Sequence, residues 1–209
     1  MTSHIPLFID IKNRKILVFG GGGVGERKAR LFREGDVTVI SPSFTPGLEE
    51  LARESAIRLD RRSVSAEEIP ALIDSAFLVV AATGDKALNE SIVSACKNGS
   101  VLVNSATGES PVTVPSVIKR GDVTIGISTG GKSPAMSRYL RMKIEGSIGE
   151  EHAAMVRLQE DLRASLKSTV PDQKERERLI WEILEDPDVW EALKVSKESA
   201  KAAAMKHVP

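Results

Sequence analysis

Chemistry is first suggested by the run Gly20-Gly21-Gly22-Gly23-Val24-Gly25, inside "ILVFGGGGVGERKARLFREG". Gly20, Gly22 and Gly25 fit the spacing G-x-G-x-x-G, which binds a dinucleotide pyrophosphate when it follows a strand and opens a helix. Gly20 would make the tight turn, Gly22 would let backbone approach the phosphates, and Gly25 would let helix and strand pack closely. The free N–H groups at the helix start, around Gly23 and Val24, would hold the phosphates. The alternative is a glycine-rich turn with a structural role only. NAD-binding folds usually place an acid at the end of the second strand, on the ribose hydroxyls. Here that strand ends in Ser41, Pro42 and Ser43, and Asp36 stands at its opposite end. Serine hydroxyls and backbone N–H groups are therefore expected to hold the ribose, with NAD preferred over NADP. The stretch "AATGD" (81–85) ends a further strand beside the expected nicotinamide half. Thr83 is a candidate contact there, and an ordinary capped turn is the alternative.

These residues need elements to position them. "KILVFG" (15–20), "VTVIS" (37–41), "FLVVAAT" (77–83) and "VLVN" (101–104) are short, β-branched and apolar without strict alternation. That is the pattern of parallel strands covered on both faces. Between them, "ERKARLFRE", "PGLEELARE" and "DKALNESIVSACKNG" read as helices, the last with Asp85 as N-cap and Gly99 as stop. Strands alternating with helices predict an α/β fold with a parallel sheet. "VTVPSVIKRGDVTIGIST" (112–129) reads as two strands around Arg120-Gly121-Asp122. Ser133 and Pro134 then suit the N-cap and first position of a helix. From about Glu150 the pattern is charged, amphipathic helix, with "DVWEALKVSKESAKAAAM" as its last segment.

The chain has 209 residues, with Lys+Arg and Asp+Glu both 29, so its formal net charge is zero. No general attraction to nucleic acid or anionic membrane is expected from that balance. The single cysteine, Cys96, rules out an internal disulfide framework and reads as core. His4, His152 and His207 show no metal-site spacing, and Trp181 and Trp190 are expected to anchor helix packing. No run approaches the roughly 20 apolar residues that span a bilayer, and the N-terminus lacks signal-peptide features, so a cytoplasmic protein is expected.

"PLFIDIKNRKILVFGGGGVGERKARLF" together with "VNSATGESPVTVPSVIKRGDVTIGISTGGKSPAMSRYLRMKIE" resembles the precorrin-2 dehydrogenase family of siroheme synthesis. That family also includes bifunctional dehydrogenase–ferrochelatases and the N-terminal part of siroheme synthases. The resemblance covers essentially the whole chain. It implies a Rossmann-like domain over 1–112, a strand-hairpin and helix region for dimerisation and substrate over 113–148, and a helical C-terminal region over 149–209. It implies a homodimer, and a reaction in which NAD oxidises the tetrapyrrole precorrin-2 to sirohydrochlorin. No methyltransferase domain follows, so that activity is expected to be absent.

A substrate rich in carboxylates needs anion donors. "STGGKSPAMSR" offers Ser128, Thr129 and Ser133 hydroxyls, backbone N–H groups at Gly130 and Gly131, and the cations Lys132 and Arg138. The alternative is a capped helix start. The resemblance adds Asn104 to the cofactor site. The family commonly carries an Asp three residues after that Asn, implicated in catalysis and chelation. Here the position is Thr107, a poor general base and a weak ligand for ferrous iron. Glu109 is a substitute base if its loop brings it inward, and water is the other acceptor of the proton. No metal site is expected, and ferrochelatase activity is the lesser reading, followed by a non-catalytic binding protein.

Overall fold

A computed structural model describes residues 4–208. The chain folds as two compact units, Met1–Val114 and Pro115–Pro209. In the first, β1 (Lys15–Phe19), β2 (Asp36–Ser41), β3 (Arg58–Arg61), β4 (Leu78–Ala81) and β5 (Leu102–Ser105) form one parallel sheet in the order β3-β2-β1-β4-β5. The helices α1 (Gly23–Leu31), α2 (Pro46–Glu54), α3 (Ile69–Ile73) and α4 (Lys86–Asn98) supply the crossovers. Side chains alternate across a strand. Ile16 and Val18 of β1 therefore enter one core with Ala29, Val39 and Leu48, while Leu17 and Phe19 enter a second with Ile69, Val79, Ile92 and Cys96. Burial on both faces explains the unbroken apolar runs. It also pushes the Cys96 thiol up to about 11, which keeps it protonated at neutral pH.

The expected helices and strands of this unit are present, with Asp85 accepting from Ala87 and Leu88 N–H at the start of α4. Two elements come in addition. β3 is one of the two edge strands, polar enough in "RLDR" to lack a strand signal, and Arg58 pairs with Asp36 of β2 at 2.5 Å. α3 is a five-residue helix following a short 3₁₀ turn at Ala66–Glu68.

The second unit begins with an antiparallel hairpin, β6 (Ser116–Arg120) and β7 (Val123–Ile127). Gly121 turns it at φ +53, and a Cβ there would lie 2.8 Å from the Ala153 side chain. The helices α5 (Pro134–Glu145), α6 (Glu150–Thr169), α7 (Gln173–Glu185), α8 (Pro187–Val195) and α9 (Lys197–Ala204) follow. Leu158, Leu162 and Leu166 of α6 meet Leu179, Ile183, Val189 and Ala200 in a third core. The last segment is two helices rather than one. Ser196 breaks it in extended conformation, and its hydroxyl caps α9 by accepting from Ser199 N–H at 3.0 Å. Trp181 corrects a second expectation, since it is 57% exposed and lies outside the third core. Trp190 is half-buried on the core, donating its indole N–H to Leu184 O at 2.7 Å. The His152 ring lies 5.2 Å from that of Trp190. His207 meets Asp186 at 2.7 Å.

Candidate functional site

Connections leave β1 for β2 and β3 on one side and for β4 and β5 on the other. The sheet therefore opens a crevice at the carboxyl ends of β1 and β4, where α/β folds bind ligands. The glycine run sits there. Gly20 adopts φ +113, and a Cβ on it would lie 2.3 Å from Ala82 O beyond β4. A Cβ on Gly25 would lie 1.9 Å from Gly20 O, so only glycine lets α1 fold back this closely on the turn. Gly22 differs, because its Cβ would meet nothing within 4 Å. It occupies the N-cap of α1 with no side-chain cap, and the first bond back to it comes from Glu26 N–H at 2.9 Å. The N–H groups of Gly23 and Val24 thus have no partner within the helix. Open space and unpaired donors coincide at one helix start.

The loop after β2 is fastened to this turn. Thr45 N–H donates to Gly21 O at 3.0 Å, and a Cβ on Gly21 would lie 2.1 Å from Ser43 O. The Thr45 hydroxyl donates to Glu26 at 2.7 Å while accepting from Leu48 N–H at 3.2 Å. That hydroxyl first, then Arg30, holds the Glu26 carboxyl below its ordinary value. Ser41 is buried at the strand end, with Pro42 and Ser43 exposed beside the turn. Sequence spacing missed Gly21, Glu26, Thr45 and Arg27. The Arg27 guanidinium folds to 3.7 Å from where a Gly23 Cβ would stand.

At the ends of β4 and β5 the organiser is Asn89 of α4, which is 1% exposed. Its Oδ1 accepts from Thr83 N–H at 3.1 Å and from the Thr83 hydroxyl at 2.7 Å. Its Nδ2 donates to Thr83 O at 3.1 Å and to Thr107 Oγ1 at 3.2 Å. Thr83 is thus locked into the capped turn before α4, and Thr107 is held from behind. Ser105 tightens the same loop, accepting from Thr107 N–H at 3.1 Å and donating to Thr107 O. Asn104 lies on β5 beside this loop, 6% exposed, with Nδ2 donating to Val112 O at 2.8 Å and Oδ1 buried without a partner among the described residues. Glu109 is exposed and makes no side-chain hydrogen bond or ion pair among the described residues.

The 128–138 loop belongs to the second unit. Its hydroxyls are mostly engaged locally. Ser128 accepts from Gly130 N–H at 3.1 Å, Thr129 donates to Ser133 O at 2.9 Å, and Ser133 caps α5 by accepting from Met136 N–H at 3.2 Å. Gly130 and Gly131 take left-handed φ of +62 and +76 with open space around both. Lys132 and Arg138 are exposed, with no ion-pair partner among the described residues. Also among the described residues, no group of three or more His, Cys, Asp or Glu is placed to hold a metal ion.

The chain is similar to known proteins over both units. A family model for an NAD(P)-binding domain covers residues 7–116, and one for the sirohaem biosynthesis protein central region covers 120–147. Precorrin-2 dehydrogenase of Methanosarcina barkeri is 44% identical over 207 residues, covering 97% of this chain and 92% of that protein. The chain belongs to the precorrin-2 dehydrogenase family. A siroheme synthase of an Enterobacter species is 34% identical over 183 residues, but the chain spans only 39% of its length. The fold matches the solved structure of SirC, a precorrin-2 dehydrogenase, at a TM-score of 0.76 and 23% identity over 97% of this chain and 100% of that one.

A member of this family is an oxidoreductase that uses a nicotinamide cofactor. The residues present fit such a group. Gly22 leaves room where a side chain would intrude, and the unpaired N–H groups of Gly23 and Val24 sit beside that room.

Proposed function

We propose that this member of the precorrin-2 dehydrogenase family oxidises precorrin-2 to sirohydrochlorin with NAD as acceptor. The macrocycle loses two hydrogens, one as hydride and one as a proton. When bound, the nicotinamide supplies the two-electron acceptor for the hydride. The observation that carries the reading is the open face at Gly22 beside unpaired helix donors, set where the sheet divides. Gly20, Gly22, Gly23, Val24 and Gly25 cradle the pyrophosphate, and Arg27 adds a cation to it. Ser41, Pro42 and Ser43 line the ribose. NAD is favoured over NADP because the arginines beside Ser41 are engaged. Arg61 pairs with Glu49 at 2.7 Å, and Arg62 pairs with Asp60 and Glu68 at 2.9 and 2.7 Å. A 2′-phosphate would have to displace those carboxylates.

Lys132 and Arg138, with the N–H group of Gly131, bind carboxylates of the macrocycle, while Gly130 N–H is held by Ser128. Ser128, Thr129 and Ser133 shape the loop that presents them. Thr107 stands where a chelating or basic Asp is expected, and a neutral hydroxyl is a weak ligand for ferrous iron. The activity is therefore dehydrogenation without metal insertion. Glu109 is the only carboxylate between Asn104 and Val112 and takes the proton. The chain works in the cytoplasm as a homodimer, without nucleic acid or membrane. A second copy covers Met136, Tyr139 and Leu140, an exposed apolar stripe on α5.

The test is an anaerobic absorbance assay with precorrin-2 and either NAD or NADP, followed by ferrous ion. Sirohydrochlorin should form faster with NAD, and the protein should not accelerate iron insertion. Glu109→Gln should lower kcat by about a hundredfold, the lower range for loss of a general base. An unchanged kcat assigns the proton to water, and no oxidation by the parent protein removes the dehydrogenase reading.

A further inference from the structure

We propose that Thr107 donates a hydrogen bond to the carboxamide oxygen of the bound nicotinamide, and that Asn89 is the positioning residue that makes it a donor. The inference rests on the dinucleotide reading above and assigns one atom of it.

The argument begins with the hydrogen-bonding capacity of Asn89. An asparagine amide has two N–H donors and two carbonyl lone pairs. Which end is which is normally a matter of assignment, but backbone partners settle it here. Thr83 N–H can only donate, so it must face Oδ1, 3.1 Å away. Thr83 O can only accept, so it must face Nδ2, also 3.1 Å away. The Thr83 hydroxyl lies 2.7 Å from Oδ1 and 2.9 Å from Asp85 O, and its one proton serves these two acceptors. One Nδ2 hydrogen remains, and it points at Thr107 Oγ1 at 3.2 Å. Both Nδ2 hydrogens of a side chain that is 1% exposed are then used. A buried amide held by a backbone donor at one end and a backbone acceptor at the other does not turn over without leaving a donor facing a donor and an acceptor facing an acceptor.

The consequence falls on Thr107. Its Oγ1 is obliged to accept from Asn89, so its own proton is directed elsewhere. The backbone N–H and O of Thr107 both bond Ser105 Oγ, at 3.1 and 2.5 Å, and among the described residues the Thr107 hydroxyl donates to no acceptor. Thr107 is exposed. It therefore presents a fixed donor, which is the reverse of what a base presents.

Position selects the acceptor. A dinucleotide lies across the crevice where the strand order divides, one half on each side. The ribose loop Ser41–Ser43 follows β2 on one side of β1, and Thr107 follows β5 on the other. Thr107 thus stands on the nicotinamide side. The carboxamide oxygen is the strong neutral acceptor of that half, and fixing it fixes which face of the ring is turned to the substrate.

The test compares two ligands on purified full-length protein by calorimetry, NADH and ADP-ribose, which lacks the nicotinamide. Thr107→Val should weaken NADH about three- to tenfold, the range for one neutral hydrogen bond, and leave ADP-ribose unchanged. Thr107→Ser should restore NADH affinity, because it keeps the hydroxyl. Asn89→Leu should weaken NADH similarly, and the double variant should be no worse than either single one. The pH profile of kcat should be the same in Thr107→Val as in the parent, since no proton acceptor is lost. Unchanged NADH affinity in Thr107→Val would overturn the assignment. Equal weakening of NADH and ADP-ribose would also overturn it, by showing a general disturbance of the site. If the parent protein binds neither ligand, the dinucleotide reading itself fails, which is a different result.

Discussion

A methyl group added at Gly22 meets nothing, whereas one added at Gly25 meets the Gly20 carbonyl oxygen at 1.9 Å. The two glycines therefore fail in different ways. Gly22→Val should leave the thermal midpoint almost unmoved and abolish NADH binding, because the side chain fills the phosphate room. Gly25→Ala should lose about 1–3 kcal/mol of stability, as overpacked positions do, since α1 must shift away from its turn. Thermal melts with NADH titrations on both variants separate these outcomes. Equal melting losses in the two would remove the distinction between room for a ligand and close packing. Gly20, Gly22 and Gly25 were legible because one residue type at three fixed positions carries the geometry. Gly21 was not, since its crowding comes from Ser43 O, which only the folded loop brings near. Asn89 was invisible for the same reason. Within a helix pattern it is a neutral polar residue, and its partners Thr83 and Thr107 lie 6 and 18 positions away.

At the scale of elements, the joint between α7 and α8 is held by one carboxylate. Asp186 Oδ1 caps α8 by accepting from Asp188 N–H at 2.8 Å, and Oδ2 meets His207 Nε2 at 2.7 Å. The His207 bond first, then the cap, holds the Asp186 carboxyl below its ordinary 3.8. A depressed folded value means the stabilisation is full above the ordinary value and lost as pH falls through the depressed one. Asp186→Asn should therefore melt below the parent at neutral pH, with the gap closing as pH falls under about 4, the ordinary carboxylate range. Circular dichroism melts across that interval check it, and a gap independent of pH would deny the link. Long periodic runs such as those of β1, α4 and α6 were readable because burial imposes their period. β3 was not, because an edge strand buries little and "RLDR" carries no apolar run. The α8–α9 break was missed because apolar spacing continues across it while the polar cap at Ser196 decides it.

On the scale of the whole molecule, the proposed homodimer rests on a surface left uncovered. Met136, Tyr139 and Leu140 expose 48%, 55% and 37% of their surface along one stripe of α5. A charge placed there costs nothing in a monomer and much in a desolvated interface. Tyr139→Glu should therefore shift the sedimenting species from dimer to monomer while the helical signal stays constant. A dimer that persists would move the interface elsewhere. The outer edge of β3 is different in kind. Arg58 is tied to Asp36, Asp60 to Arg62 and Arg61 to Glu49 along four consecutive residues of an exposed strand. An incoming strand would gain backbone hydrogen bonds only by docking against guanidinium groups and disturbing their pairs. The polarity that hid β3 from a sequence reading thus serves as a guard during biosynthesis. It leaves that edge of the sheet without a sticky rim onto which a neighbouring, half-folded copy could polymerise.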